Sequence, residues 1–484
     1  MSRLPSPAVV LALAITASGC GDDDGEPEPD ASADGRVTPR PDAEGLDGGD
    51  PSDATPVTES GAPDATPMGE DATVAPPGFA FAASPYVALP FTTVGSPVPD
   101  GVLELREVGG APSSGDVDID VSGELVVEGS TAPLAAHETR TFVVRYTGAI
   151  DAPVNAVGNA AVSIDGARID VALAAVVGDP ALPPVVEWTE EGGTAVATAP
   201  YPSAPFPDGR AAYADARVLV ASPVDLDDAR GVPMVVHLHG HNALLARTVP
   251  AQHLVRQLAL SGRNAVLVVP QGPVEAADGD FGKLDLEGGL ARLARDVIAV
   301  LYRDGLVRVP RLGPVVLTSH SGGYSATANI VAHGGVTVAA VHLFDSLYGR
   351  SDAYFGFASG GGLLRSVYTS GGGTDRQNLA LATELESAGV VVTDAFDDDT
   401  LASSRTTIGF TPSSHNGCVS DERAYARWLF ASGLPRRPAA PPELLATLAS
   451  GTDVVVRWRA EVAPFDGTWR VEGSDDATRW DTLA

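Results

Sequence analysis

Four stretches of this 484-residue chain carry side chains suited to nucleophilic catalysis. Ser319-His320-Ser321-Gly322-Gly323 follows the apolar run Pro314-Val-Val-Leu-Thr. Ser413-Ser414-His415-Asn416-Gly417 comes much later, and between the two stand Asp345, in Val341-His-Leu-Phe-Asp-Ser, and Asp375, in Ser370-Gly-Gly-Gly-Thr-Asp. A serine hydroxyl is a weak nucleophile alone. It becomes a strong one when an imidazole takes its proton and a carboxylate holds the imidazole in the right tautomer. A further stretch, His237-Leu238-His239-Gly240-His241-Asn242, offers three imidazoles at alternate positions. On a strand those positions share a face, so a zinc ion held by His237, His239 and His241 is a competing reading. The glycine loop makes sense without a metal, and no cofactor is required.

These residues need a scaffold, and residues 179–434 alternate strand-like and helix-like segments, the mark of a mostly parallel sheet with flanking helices. Predicted strands are Ala216–Ala221, Val232–His237, Asn264–Val269, Pro314–Ser319, Val336–Phe344, Leu364–Thr369 and Val390–Thr393. Predicted helices are Ala251–Leu260, Leu284–Tyr302 (apolar at Leu290, Leu293, Val297 and Leu301), Asp375–Ala388 and Asp421–Ala431. On this reading Ser321 sits in a sharp strand-to-helix turn, Asp345 ends the next strand, and His415 lies in the loop before the closing helix.

Ser319-His-Ser-Gly-Gly resembles the Gly-x-Ser-x-Gly nucleophile elbow of α/β-hydrolases, with Ser319 in place of the first glycine. The chain order Ser…Asp…His is similar to theirs as well. The resemblance implies an α/β-hydrolase domain in which Ser321 is the nucleophile and His415 the base. It implies Asp345 as the acid, as in the pancreatic-lipase-like variant, with Asp375, after the next strand, as the alternative. His237-Leu-His-Gly-His-Asn resembles the His-Gly loop of that family. It implies an oxyanion hole built from the backbone N–H of Gly322 and that of His241 or Asn242. The expected reaction is hydrolysis of an ester, less readily an amide, through an acyl-enzyme. Residues 346–366, with Tyr348, Tyr354, Phe355 and Phe357 among glycines, read either as a lid or acyl pocket or as an insertion carrying core aromatics. Cys418 reads as a small buried residue.

The flanks read differently. Ala8–Ala17 is apolar but too short to span a bilayer. It reads as a signal peptide over residues 1–20. Its end, Ala17-Ser-Gly-Cys20, resembles a lipobox, which implies acylation of Cys20 and export to the cell envelope with a lipid anchor. Residues 21–77 hold 16 acidic residues against Arg36 and Arg40, and their Asp, Pro, Ala and Gly composition predicts a disordered tether. Residues 78–178 contain short alternating runs such as Thr141-Phe-Val-Val-Arg-Tyr and Ile169-Asp-Val-Ala-Leu, which predict an antiparallel sandwich. Pro90-Phe-Thr-Thr-Val-Gly and Leu134-Ala-Ala-His-Glu-Thr-Arg-Thr-Phe-Val-Val-Arg-Tyr give this region a resemblance to immunoglobulin-like domains of the ASPM/SPD-2/Hydin type. Such a module implies a spacer or contacts with surface proteins or glycans. After a linker at 435–442, residues 443–484 resemble part of a fibronectin type III domain, with Trp458, Trp469 and Trp480 expected in a core.

The net charge of −32 argues against nucleic-acid binding, which needs a basic face. Two cysteines exclude a disulfide framework. Two functions of different class remain: a membrane-anchored serine hydrolase acting on an acyl ester or peptide, and a surface adhesion or binding lipoprotein whose α/β-hydrolase domain is catalytically retired.

Overall fold

The computed structural model describes residues 79–437 in full, with the backbone of four later strands. The predicted signal peptide, Cys20, the tether at 21–77, Trp469 and Trp480 lie outside the described residues, as does the side chain of Trp458. No helix among the described residues is long and apolar enough to cross a membrane.

The described residues open with nine strands: β1 Phe81–Ala83, β2 Tyr86–Ala88, β3 Thr92–Thr93, β4 Gly101–Glu107, β5 Asp118–Ser122, β6 Leu125–Glu128, β7 Thr139–Tyr146, β8 Val154–Ile164 and β9 Ala167–Gly178. They form one sheet in the order β1-β4-β7-β6 and another in the order β2-β9-β8-β5, with β3 also on β9. Alternation decides which side chains face inward. Leu103, Leu105, Phe142 and Val144 of the first sheet meet Val162, Val171 and Leu173 of the second in one apolar core.

A second sheet system follows, built from β10 Thr189–Glu191, β11 Thr194–Pro200, β12 Arg217–Pro223, β13 Val232–Leu238, β14 Val266–Pro270, β15 Leu312–His320, β16 Val338–Phe344, β17 Leu363–Tyr368 and β18 Thr406–Phe410. Their order is β10-β11-β12-β14-β13-β15-β16-β17-β18. Pairings from β14 to β18 are parallel, and those joining β10, β11, β12 and β14 are antiparallel. The connecting helices are α1 Leu245–Ala251, α2 Leu254–Leu260, α3 Gly289–Arg303, α4 Tyr324–His333, α5 Ser351–Ser359, α6 Asp375–Ser387, α7 Asp398–Ser403 and α8 Ala424–Phe430. Helices cover both faces. Val236 and Leu317 pack with α3 and α4 through Leu290, Val297 and Ile330, while Val235 and Val316 pack with α2 and α8 through Leu258 and Leu429. Burial on both faces explains why β13 and β15 read as unbroken apolar runs.

The sandwich is not a detached spacer. Ala174 and Val176 of β9 share an apolar cluster with Val297 and Leu301 of α3. The Tyr302 hydroxyl donates to the Leu89 carbonyl, and the Asn155 amide donates to the Arg295 carbonyl at 3.1 Å.

Several element bounds differ from the sequence reading. Val390–Thr393 is not a strand: Val391 is 80% exposed and only Thr393 makes an isolated bridge, to Thr407. The last strand of this sheet is β18, whose Thr-Thr-Ile-Gly-Phe carries too few apolar residues to be read as one. The helix expected over Ala251–Leu260 is two, broken at His253, whose φ is +52°. The closing helix begins at Ala424 because Glu422 and Arg423 both adopt positive φ. In the tail, β19 Glu443–Ser450 pairs antiparallel with β20 Asp453–Arg459, and β21 Glu472–Gly473 with β22 Asp481–Thr482.

Candidate active site

The site is assembled at the C-terminal ends of β13, β15, β16 and β18, where the parallel strands deliver their loops. β15 stays extended through His320 and then turns at Ser321, whose φ is +52°. A non-glycine residue held there costs roughly 1–3 kcal/mol, which the surrounding packing must offset. A short 3₁₀ turn, Ser321–Gly323, leads into α4. The turn needs small neighbours: a Cβ on Gly240 would stand 2.6 Å from the Ser321 Cβ, and one on Gly323 would stand 2.5 Å from the Leu238 carbonyl oxygen.

Ser319, the departure from the elbow pattern, is fully buried and has a specific place. Its Oγ lies 2.8 Å from the Ser346 Oγ, and Ser346 donates to the Ser321 carbonyl at 2.8 Å. The Ser346 proton is committed to that carbonyl, so Ser319 is the donor to Ser346. A glycine would leave this relay without its first hydroxyl.

Ser321, His415 and Asp345 form a continuous hydrogen-bonded line. His415 Nε2 lies 3.0 Å from the Ser321 Oγ, and His415 Nδ1 lies 2.7 Å from Asp345 Oδ2. A carboxylate only accepts, so Nδ1 carries the proton and Nε2 is free to accept from the serine. Asp345 follows β16 with φ +45° and is fully buried. Burial works against its charged form, but hydrogen bonds from His415, Thr369 and Thr374 outweigh it and hold the carboxyl below its ordinary pKa. The Thr369 hydroxyl sits 2.6 Å from Oδ2, and Thr374 donates to Oδ1.

Asp375, the alternative acid, is exposed and begins α6, where a carboxylate suits the helix dipole. The residue before it, Thr374, reaches Asp345 instead.

The oxyanion reading needs one correction. The Asn242 N–H donates to the Ala276 carbonyl at 2.8 Å, which removes it as a donor to substrate. Of the two donors expected from this loop, that leaves the His241 N–H. The His241 ring lies over Gly322, where a Cβ would stand 2.2 Å from its Cδ2.

The zinc reading is not supported by where the imidazoles go. His237 is buried beside Tyr425, with Nδ1 2.9 Å from the Thr318 hydroxyl. His239 donates from Nδ1 to the Gly240 carbonyl and accepts at Nε2 from the Gly272 N–H, both at 2.8 Å. His241 is exposed. The strand ends at Leu238, so alternation no longer aligns the three side chains. Among the described residues no group of His, Cys, Asp or Glu side chains is arranged to hold a metal ion.

Residues 346–366 are integrated in the fold rather than forming a separate flap. Tyr354 on α5 is fully buried and donates to the Tyr324 carbonyl, and Phe355 and Phe357 pack on the core. Cys418 is buried as expected, with its thiol donating to the His415 carbonyl at 3.1 Å. Sequence reasoning missed Ser346, Thr369 and Thr374, which no spacing singles out. Tyr348, grouped with Tyr354, Phe355 and Phe357 in the sequence reading, donates from its hydroxyl to the Gly372 carbonyl at 2.6 Å, and its ring lies 5.8 Å from that of Tyr324.

Gly372 closes the acid's surroundings. A Cβ there would stand 1.7 Å from Asp345 Oδ2, so Gly372→Ala must displace either the carboxylate or the turn. A displacement near 1 Å costs about 10²-fold in rate. For a site that turns over esters through Asp345, Gly372→Ala is expected to lower kcat about 100-fold with little change in KM, measured by steady-state kinetics.

No family model and no curated protein matches the sequence. Solved structures share likeness at low identity. The chain is similar to a ferric enterobactin esterase from Salmonella typhimurium (11% identity, 69% of this chain and 93% of that one, TM-score 0.32). It is similar to a siderophore hydrolase from Aspergillus nidulans (13% identity, 49% of this chain and 94% of that one, TM-score 0.28). Its likeness to a PapD-like domain of human CEP192 has 10% identity and covers 23% of this chain and 93% of that one, with TM-score 0.17.

Proposed function

We propose that the chain is an exported, lipid-anchored serine hydrolase of the α/β-hydrolase type that cleaves an ester bond. The observation that carries this reading is the line from the Ser321 Oγ through His415 to buried Asp345, at 3.0 and 2.7 Å. In the proposed reaction the Ser321 oxygen attacks the acyl carbon while His415 Nε2 takes its proton. The negative charge that develops on the carbonyl oxygen is held by the N–H groups of Gly322 and His241. The alcohol leaves with the proton from His415, and water repeats the sequence to free the acid. Asp345 stabilises the imidazolium in both halves. Amides, whose nitrogen leaves less easily, are expected to react more slowly at the same site.

The test is hydrolysis of short-chain p-nitrophenyl esters beside the matching anilides. Turnover of esters above that of the Ser321→Ala variant is expected, with anilides slower. Turnover equal to that of the variant in a folded protein would overturn the reading and favour a retired hydrolase domain in a surface-binding protein.

The anchor belongs to the same proposal. Acylation of Cys20 would hold the chain at the membrane, and the acidic segment 21–77 would space the folded part from it. Cys20→Ser is expected to move the protein from the membrane fraction to the soluble fraction. Unchanged membrane recovery would contradict a lipid anchor at that residue.

A further inference from the structure

His320, between the buried Ser319 and Ser321, has no part in the proton transfers just described, yet it is 6% exposed and its side chain is hydrogen-bonded. Its Nε2 lies 2.8 Å from the backbone carbonyl oxygen of His415. A carbonyl only accepts, so Nε2 carries the proton and donates. The Cys418 thiol donates to the same carbonyl at 3.1 Å. The His320 and His415 rings lie 4.7 Å apart, tilted by 37°. Burial pushes the His320 pKa down to about 4, so the ring is neutral beside an imidazole that must become charged.

The position of this contact gives it meaning. His415 sits in a loop after β18, and its imidazole reaches Ser321 and Asp345 only if the loop backbone is held in place. Other contacts hold the ends of this loop: Thr411 N–H donates to the Tyr368 carbonyl at 2.9 Å, Cys418 N–H to the Ser414 carbonyl at 3.0 Å, the Gln257 amide to the Val419 carbonyl at 3.0 Å, and Cys418 and Val419 pack in the apolar cluster with α2 and α8. His320 ties the loop to the elbow itself, from the residue directly before the nucleophile. Two adjacent residues at one rigid strand end thus grip His415 twice, Ser321 at the imidazole and His320 at the backbone.

We propose that His320 is a positioning residue that fixes the His415 loop against the nucleophile turn, with the Cys418 thiol as a second, weaker donor to the same carbonyl. The proposal rests on the serine-hydrolase reading of Ser321 and His415. It adds a requirement that reading does not contain: a hydrogen-bond donor at the position before the nucleophile.

The test compares His320→Phe, which keeps a ring and removes the donor, with His320→Gln, whose amide nitrogen occupies about the place of Nε2. Two readouts are taken on the full chain: kcat and KM for a p-nitrophenyl ester, and hydrogen–deuterium exchange of the peptide 411–418. For His320→Phe, kcat is expected to fall about 10- to 100-fold, the cost of misplacing a reacting group by up to about 1 Å. KM should stay within about twofold, and 411–418 should exchange faster than in the wild type. His320→Gln is expected to recover most of both. If His320→Phe does not fold, Cys418→Ala tests the same carbonyl, with a smaller loss of kcat and faster exchange expected. Wild-type kcat and exchange in folded His320→Phe would overturn the proposal, as would a Gln variant no better than Phe. A wild type that turns over no ester defeats the hydrolase reading separately. The exchange arm then decides the clamp: faster exchange in His320→Phe supports it, and unchanged exchange overturns it.

Discussion

Ser321→Ala is expected to lower ester turnover by a factor on the order of 10⁶, the scale seen when a serine nucleophile acting with its base is removed. The size follows from the way these groups act as one unit. With the oxygen gone, His415 has no proton to take, and the Asp345 charge has no developing imidazolium to stabilise. The Gly322 and His241 N–H groups remain, so residual catalysis of roughly 10³-fold over water is expected from them and from binding alone. His415→Ala should fall to a similar level, and combining the two should cost little more. That non-additivity, read from kcat of the single and double variants, separates a cooperating pair from two independently useful residues. Additive losses would contradict the account.

Asp345→Asn is expected to cost between about 10² and 10⁴ in kcat, with Asp375→Asn within about twofold of wild type. The range reflects two ways an amide can sit in this nest. Oδ2 accepts from both His415 and Thr369, while Oδ1 accepts from Thr374. With the amide oxygen at the Oδ2 position, His415 keeps its tautomer and loses only the charge beside its imidazolium, which gives the smaller loss. With the amide nitrogen there, Nδ1 must accept, Nε2 carries the proton, and the base is blocked, which gives the larger loss. The two donors on Oδ2 favour the first arrangement. The same nest has a consequence for stability. Because the folded carboxyl lies below its ordinary pKa, the interaction stabilises the fold above the unfolded value, near 3.9, and is lost as pH falls through the lowered folded value. Asp345→Asn should therefore flatten the acid limb of a stability profile measured by thermal unfolding. A steep limb unchanged in the variant would place that titration elsewhere.

Much of the scaffold was legible because burial leaves a mark on composition. Strands covered on both faces, such as β13 and β15, must be apolar throughout, and the sandwich strands must alternate. The mark fails where burial is partial or polar. Thr406 and Thr407 are buried in β18 yet read as loop, while Val390 and Val392 rest half-buried on the core with Val391 exposed, in no strand. Ser321, His415, Asp345 and Asp375 could be named from residue type and place in the chain. Choosing between donors could not be done that way, because the fate of the Asn242 N–H depends on Ala276, a residue that sequence spacing does not connect to it. Thr369 and Thr374 reach Asp345 from the connection between β17 and α6, and nothing in their spacing announces it. Ser319 looked like a weakness in the elbow pattern. Its hydroxyl is instead one end of a relay through Ser346 to the nucleophile's own carbonyl.

The central claim is that Ser321 is an activated nucleophile, and covalent labelling tests it most directly. The protein is incubated with a fluorophosphonate, and the adduct is mapped by peptide mass spectrometry. One adduct is predicted, on the Ser321 oxygen, with labelling abolished in Ser321→Ala and slowed at least 100-fold in Asp345→Asn. A folded protein that takes no label, or one whose label persists in Ser321→Ala, would contradict the account.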